Sequence, residues 1–157
     1  MNTLVIYDSF FGNTEQIAQA VGKTLGSPDQ VGISRVSDVK PGQLAGIKLL
    51  IVGSPTRGFR PTPAIVDLLK SISANALQGV KVAAFDTRIA TSDIKSAALR
   101  IMVSFGGYAA APIAAQLKKK GGELIAPPEG FFVQDREGPL KPGELERAAK
   151  WAAQLLA

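Results

Sequence analysis

The sequence predicts an α/β protein, a doubly wound parallel sheet with helices on both faces, and three observations carry that prediction. Strand-like and helix-like runs alternate along the whole chain. The run at 49–52 in "KLLIVGSPT" is continuously apolar, as a strand covered on both faces requires. Residues 8–14, 53–60 and 86–93 are polar loops that each follow a strand-like run, and such sheets collect ligands outside the carboxyl ends of their strands.

Taken in order, "TLVIY" (3–7) is a short β-branched and aromatic run, and a helical spacing of Ile17, Val21 and Leu25 follows its loop. Gly26, Ser27 and Pro28 end that helix, and "VGISRV" (31–36) alternates as a second strand. The third strand, 49–52, runs into Gly53, Ser54 and Pro55, read as loop. Pro61 and Pro63 suit the first turn of a helix whose buried stripe is Ile65, Val66, Leu68, Leu69 and Ile72. "KVAAFDT" (81–87) is the fourth strand. Two helical stretches follow, around 94–103 and up to Lys120, with Gly106 and Gly107 between them. Lys118, Lys119 and Lys120 ahead of Gly121 and Gly122 fit the negative end of a helix dipole. "ELIAPPEGFFV" gives two strand pieces separated by Pro127 and Pro128, and residues 145–156 close the chain as a helix that buries Trp151. Crossovers are expected to be right-handed.

With 157 residues, 46% of them apolar, the chain is expected to form one domain over residues 1–157. It has no cysteine and no histidine, which removes thiolate nucleophiles, the usual general base and the commonest metal ligands. No catalytic residue and no metal site are therefore assigned. Chemistry is left to carboxylates, hydroxyls and backbone amides, or to a cofactor with its own reactivity. The net charge of +5 suits acidic partners. Nucleic acid is not expected, because the basic residues are scattered and neither arginine–aromatic interleaving nor zinc spacing is present. The longest uncharged stretch, between Arg100 and Lys118, is interrupted by Gly106, Gly107 and Pro112, so no membrane span is expected. The start at Met-Asn-Thr, without a basic leader or cleavage site, reads as a mature cytoplasmic chain.

The first loop lies in "YDSFFGNTEQIAQAV" (7–21). A loop leaving a strand for a helix exposes N–H groups at the positive end of the helix dipole. Ser9, Asn13 and Thr14 add donors, and Gly12 admits close approach of an oxyanion. Phosphate is the expected guest; the alternative is that Asn13 or Thr14 only caps the helix, with Gln16 nearby. Neither G-x-x-x-x-G-K-[ST] nor G-x-G-x-x-G is present, which disfavours P-loop hydrolases and nicotinamide-binding Rossmann sites. A Cys-based phosphatase is excluded, and a phospho-accepting receiver would want a carboxylate where Gly53 stands.

"LVIYDSFFGNT" resembles the FMN phosphate loop of flavodoxins, "IVGSPTRG" and "AAFDTR" resemble their loops after the third and fourth strands, and the closing segment is similar to short bacterial flavodoxins. The resemblance spans essentially the whole chain. It implies a flavodoxin-like five-stranded parallel sheet of order 2-1-3-4-5. It also implies FMN, its phosphate held by Ser9, Phe10, Phe11, Gly12, Asn13 and Thr14 without a cation in the loop. Ser54, Pro55, Thr56, Arg57, Gly58 and Phe59 would border one side of the flavin ring, and Asp86, Thr87 and Arg88 the other side or the pyrimidine edge. Gly58 is either the peptide that changes conformation with redox state or a plain turn residue.

Three departures from the family pattern matter. Residues 86–93 hold no aromatic side chain to stack on the ring, which leaves Phe59, or Phe10 and Phe11 where they are not core. The chain is basic where typical flavodoxins are acidic, with Arg57, Arg60 and Arg88 in the ring-side loops. A cation within about 6 Å of the ring favours added negative charge by a kcal/mol or more, so a less negative potential for the reduced anion is expected unless the arginines face water. Finally, "SAALRIMVSFGGYAAAPIAAQL" is either a buried helix pair, the favoured reading, with 105–108 its exposed part, or a lid, docking surface or homodimer contact through 101–115. The function expected first is an FMN electron-transfer protein serving redox partner proteins. An FMN-dependent NAD(P)H:quinone-type oxidoreductase and a cofactor-free interaction scaffold are the alternatives.

Overall fold

The computed structural model describes residues 2–40, 42–90, 97 and 108–157. Its strands are β1 (Thr3–Tyr7), β2 (Val31–Arg35), β3 (Leu49–Pro55), β4 (Lys81–Ile89), β5 (Glu123–Leu124) and β6 (Glu129–Val133). The helices are α1 (Asn13–Leu25), α2 (Pro63–Ser71), α3 (Ala110–Lys119) and α4 (Glu144–Leu155). Ladder pairings between these strands are all parallel, in the order β2-β1-β3-β4 followed by the fifth position, which is the predicted order.

Two strands share that fifth position. β5 pairs with Lys81 and Val82, and β6 with the stretch from Phe85 to Ile89. Pro127 and Pro128 lie between them, and a proline has no N–H to give a ladder, so the strand is interrupted there.

β3 and β4 run further than their composition suggests. Gly53, Ser54 and Pro55 pair with Phe85, Asp86 and Thr87, so the residues read as loop are the last rungs of the sheet. At α2, Thr62 is the cap, its hydroxyl accepting the Ile65 N–H at 3.4 Å; Pro63 opens the helix and Pro61 lies outside it. The helical reading at 94–103 and the break at Gly106 and Gly107 fall outside the described residues. Of 101–115, Ala109, Ala110, Ile113 and Ala114 are buried.

Strand alternation divides the core. Leu4, Ile6, Leu50, Val52, Val82 and Ala84 face α2 and α3, meeting Ile65, Leu69, Ile113 and Leu117. Val5, Tyr7, Ile51, Ala83 and Phe85 face the opposite way, against Ile17 and Val21 of α1 and Trp151 and Leu155 of α4. Phe85, Phe131 and Trp151 meet edge to face, with ring centroids 5.9–6.0 Å apart. The helices thus cover both faces, and the carboxyl ends of β1, β3 and β4 open at one end of the sheet. Among the described residues no helix is long and apolar enough to cross a membrane.

Candidate functional site

The loop after β1 turns into α1 through Gly12, which takes φ 89° and caps the helix without any side chain. The capping alternative for Asn13 and Thr14 therefore fails, and both side chains are used elsewhere. Asn13 Nδ2 donates to the Glu137 carbonyl at 3.1 Å, and the Thr14 and Thr87 hydroxyls share a 2.8 Å hydrogen bond. Ser9 Oγ accepts the Gly12 N–H at 3.1 Å and the Glu15 N–H at 3.4 Å. Among the described residues no acceptor takes the N–H groups of Phe10, Phe11, Asn13 or Thr14.

The loop is held from its outer side. Arg35 donates to the Ser9 carbonyl at 2.7 Å, lies 3.4 Å from the Glu15 carboxylate and stacks over the Tyr7 ring. Burial, reinforced by a 2.5 Å hydrogen bond to Glu15, pushes the Tyr7 hydroxyl up to about 12, so it stays a neutral donor. With the outer carbonyl engaged, the free amides are available on the inner side, at the positive end of α1.

That inner side opens on a cleft of about 420 Å³. Ser9, Phe10, Phe11, Asn13 and Thr14 line its β1 end, Pro55, Thr56, Arg57, Gly58 and Phe59 its β3 side, and Thr87 and Arg88 its β4 side. Gly12 is half-exposed and not part of the described lining, and Ser54 and Asp86 are fully buried behind it. Ser54 Oγ accepts the Thr62 N–H at 3.0 Å and donates to the Pro55 carbonyl at 2.8 Å. Asp86 is fully buried, and its carboxylate receives a two-pronged contact from Arg88, 2.7 Å at each prong, and the first-turn N–H of Ala110 at 2.8 Å.

The arginines have different positions. Arg88 is bound to Asp86 and stacked on Tyr108 at 3.9 Å, so its charge is already matched. Arg60 lines a second hollow, between α2 and α3. Arg57 lies over Phe10 at 4.8 Å and Phe11 at 5.8 Å, without a carboxylate partner among the described residues. Phe10 and Phe11 are 53% and 45% exposed, which corrects the core alternative for them: they stand at the cleft mouth. Arg57 and Arg60 exchange backbone hydrogen bonds across Gly58 (φ 55°) and Phe59 (φ 67°), a two-residue turn that needs left-handed backbone at both positions.

Beyond the residues assigned from the sequence, the described lining includes Ile89, which lies within 86–93, Tyr108 from the 101–115 stretch, Val133 and Arg136. Tyr108 supplies the aromatic side chain that residues 86–93 lack, and its hydroxyl donates to the Ile89 carbonyl at 3.2 Å. It comes from the far side of a long excursion, so no local spacing announces it. Arg136 arrives the same way, from the loop after β6.

Free amides at a helix start and the Ser9, Thr14 and Thr87 hydroxyls form an oxyanion cradle, and the described lining residues include no carboxylate. The aromatic mouth beside the cradle suits a planar apolar group. A molecule with a phosphate at one end and a flat ring at the other fits both parts.

The flavodoxin family model matches residues 5–87, which contain the cradle, the stretch from Ser54 to Phe59 and, of the β4 side, Asp86 and Thr87. No curated protein matches by sequence. Among solved structures, the chain is similar to a flavodoxin from the domain Archaea (22% identity, TM-score 0.76, 99% of this chain and 96% of that one). It is also similar to oxidised flavodoxin 2 from Bacillus cereus (21% identity, TM-score 0.73, 99% and 98%). A further match is to rubredoxin oxygen:oxidoreductase from Desulfovibrio gigas (21% identity, TM-score 0.70), covering 99% of this chain but 35% of that one.

Proposed function

This chain belongs to the flavodoxin family, and from that membership we propose that it binds FMN in the cleft and carries electrons between partner proteins. The observation that supports this most is the row of free amides at Phe10, Phe11, Asn13 and Thr14, backed by three hydroxyls. FMN, when bound, supplies the one-electron redox chemistry. The cradle residues hold its phosphate by hydrogen bonds from Ser9, Thr14 and the loop amides. Pro55, Thr56, Gly58 and Phe59 border the ring on the β3 side, and Thr87, Arg88 and Tyr108 border it on the β4 side. Phe10, Phe11 and Arg57 close the mouth against water. The net charge of +5 suits acidic redox partners.

Purified protein is expected to be yellow and to release one FMN per chain on denaturation. Colourless protein that cannot be reconstituted with FMN overturns the reading and leaves a cofactor-free scaffold. With Arg88 matched by Asp86 and Arg60 in the other hollow, the electrostatic effect on the ring is assigned to Arg57. In redox titrations of the yellow protein, Arg57→Ala is expected to lower the potential for forming the reduced anion by about 40 mV, equivalent to roughly 1 kcal/mol for one electron. An unchanged potential sinks that assignment.

A further inference from the structure

We infer that Arg136 is a cationic member of the phosphate site, so that the cradle is not neutral in this chain. The inference rests on the proposed FMN reading and concerns which part of the ligand one side chain serves. The loop after β6 is fastened to the cradle, with Asn13 Nδ2, in the first turn of α1, donating to the Glu137 carbonyl. A Cβ on Gly138 would lie 2.6–3.0 Å from the Asn13 amide atoms, so the two segments pack in direct contact. Residue 136 is next to that anchor, and its side chain lines the cleft together with Ser9, Asn13 and Thr14.

Among the described residues the lining cations are Arg57, Arg88 and Arg136. Arg57 lies over two phenylalanine rings, and Arg88 holds Asp86 and stacks on Tyr108. Arg136 has neither an ion pair nor a ring partner among the described residues. Of its acidic neighbours, Asp135 uses one oxygen on the Arg136 backbone N–H at 2.8 Å, and among the described residues Glu137 forms no ion pair with the guanidinium. A guanidinium without an ion-pair partner among the described residues, lining the same cleft as the loop residues Ser9, Asn13 and Thr14, suits a phosphate dianion. It does little for an uncharged polyol or ring.

FMN and riboflavin differ by that phosphate, so the pair separates a phosphate contact from a ring contact. Dissociation constants of both ligands are to be measured by fluorescence titration of apoprotein for wild type, Arg136→Gln and Arg136→Lys, at low and high KCl. Arg136→Gln is expected to weaken FMN about fivefold to tenfold at low salt, with riboflavin changed less than about twofold. Arg136→Lys should retain most of the FMN preference, and salt should erode that preference in wild type more than in Arg136→Gln. Equal losses for both ligands, or no loss for either, overturn the role of Arg136 while leaving the FMN reading intact. Wild type that binds neither flavin overturns the FMN reading, and this inference with it.

Discussion

Arg88→Ala is expected to lower the unfolding free energy by about 3–5 kcal/mol, the cost of leaving one member of a buried ion pair alone. Asp86 is fully buried, and the Arg88 fork reaches it through a slot between the Tyr108 ring and the backbone of Gly130. A Cβ on Gly130 would lie 2.1 Å from Arg88 Nε, so the slot exists because residue 130 has no side chain. Without Arg88 the carboxylate keeps, among the described residues, the Ala110 N–H alone.

The effect also has a pH signature. Burial already pushes the Asp86 carboxyl above its ordinary 3.8, and Arg88 opposes that rise. Removing Arg88 lifts it further. Between the unfolded and folded values the native state then binds more protons than the unfolded state, so stability falls as pH rises through that window. The deficit of Arg88→Ala relative to wild type should therefore be largest at pH 7 and shrink towards pH 4 in urea denaturation. A loss of less than about 0.5 kcal/mol, flat with pH, would mean that Arg88 acts as a solvated surface side chain.

Gly53→Ala should cost about 3 kcal/mol, a large value for adding one methyl group. The added Cβ would sit 2.1 Å from Phe85 Cζ and 2.4 Å from both adjacent ring carbons. The ring cannot retreat, because Phe131 and Trp151 hold it edge to face. Phe85→Leu removes the obstructing ring, so the same Gly53 substitution should cost much less in that background. Equal costs in the two backgrounds would show that the ring contact is not the cause. Gly53 is required for packing, so position 53, within β3, has no room for a carboxylate side chain.

How much of this was legible depends on how far apart in sequence the partners lie. The cradle was readable because Ser9, Gly12, Asn13 and Thr14 lie within one turn of chain between a strand and a helix. Strand order followed from the resemblance, and the two prolines at 127 and 128 already marked the split fifth position. Gly53, Ser54 and Pro55 looked like loop because their pairing partners are supplied by β4, which local composition does not reveal. The Asp86–Arg88 pair did leave a signal, since residues two apart on a strand share a face. What the sequence could not show is that the N-terminus of α3 would bury that face. Tyr108 and Arg136 reach the cleft from distant segments, and only the folded chain brings them there.

The most direct test of the account is a titration of 15N-labelled apoprotein with FMN, followed through the amide resonances of the first loop. The account predicts that Phe10, Phe11, Asn13 and Thr14, whose N–H groups have no acceptor among the described residues, undergo the largest shifts, and that riboflavin moves them far less. Saturable binding that leaves these amides in place, with shifts concentrated in the hollow between α2 and α3, would contradict it.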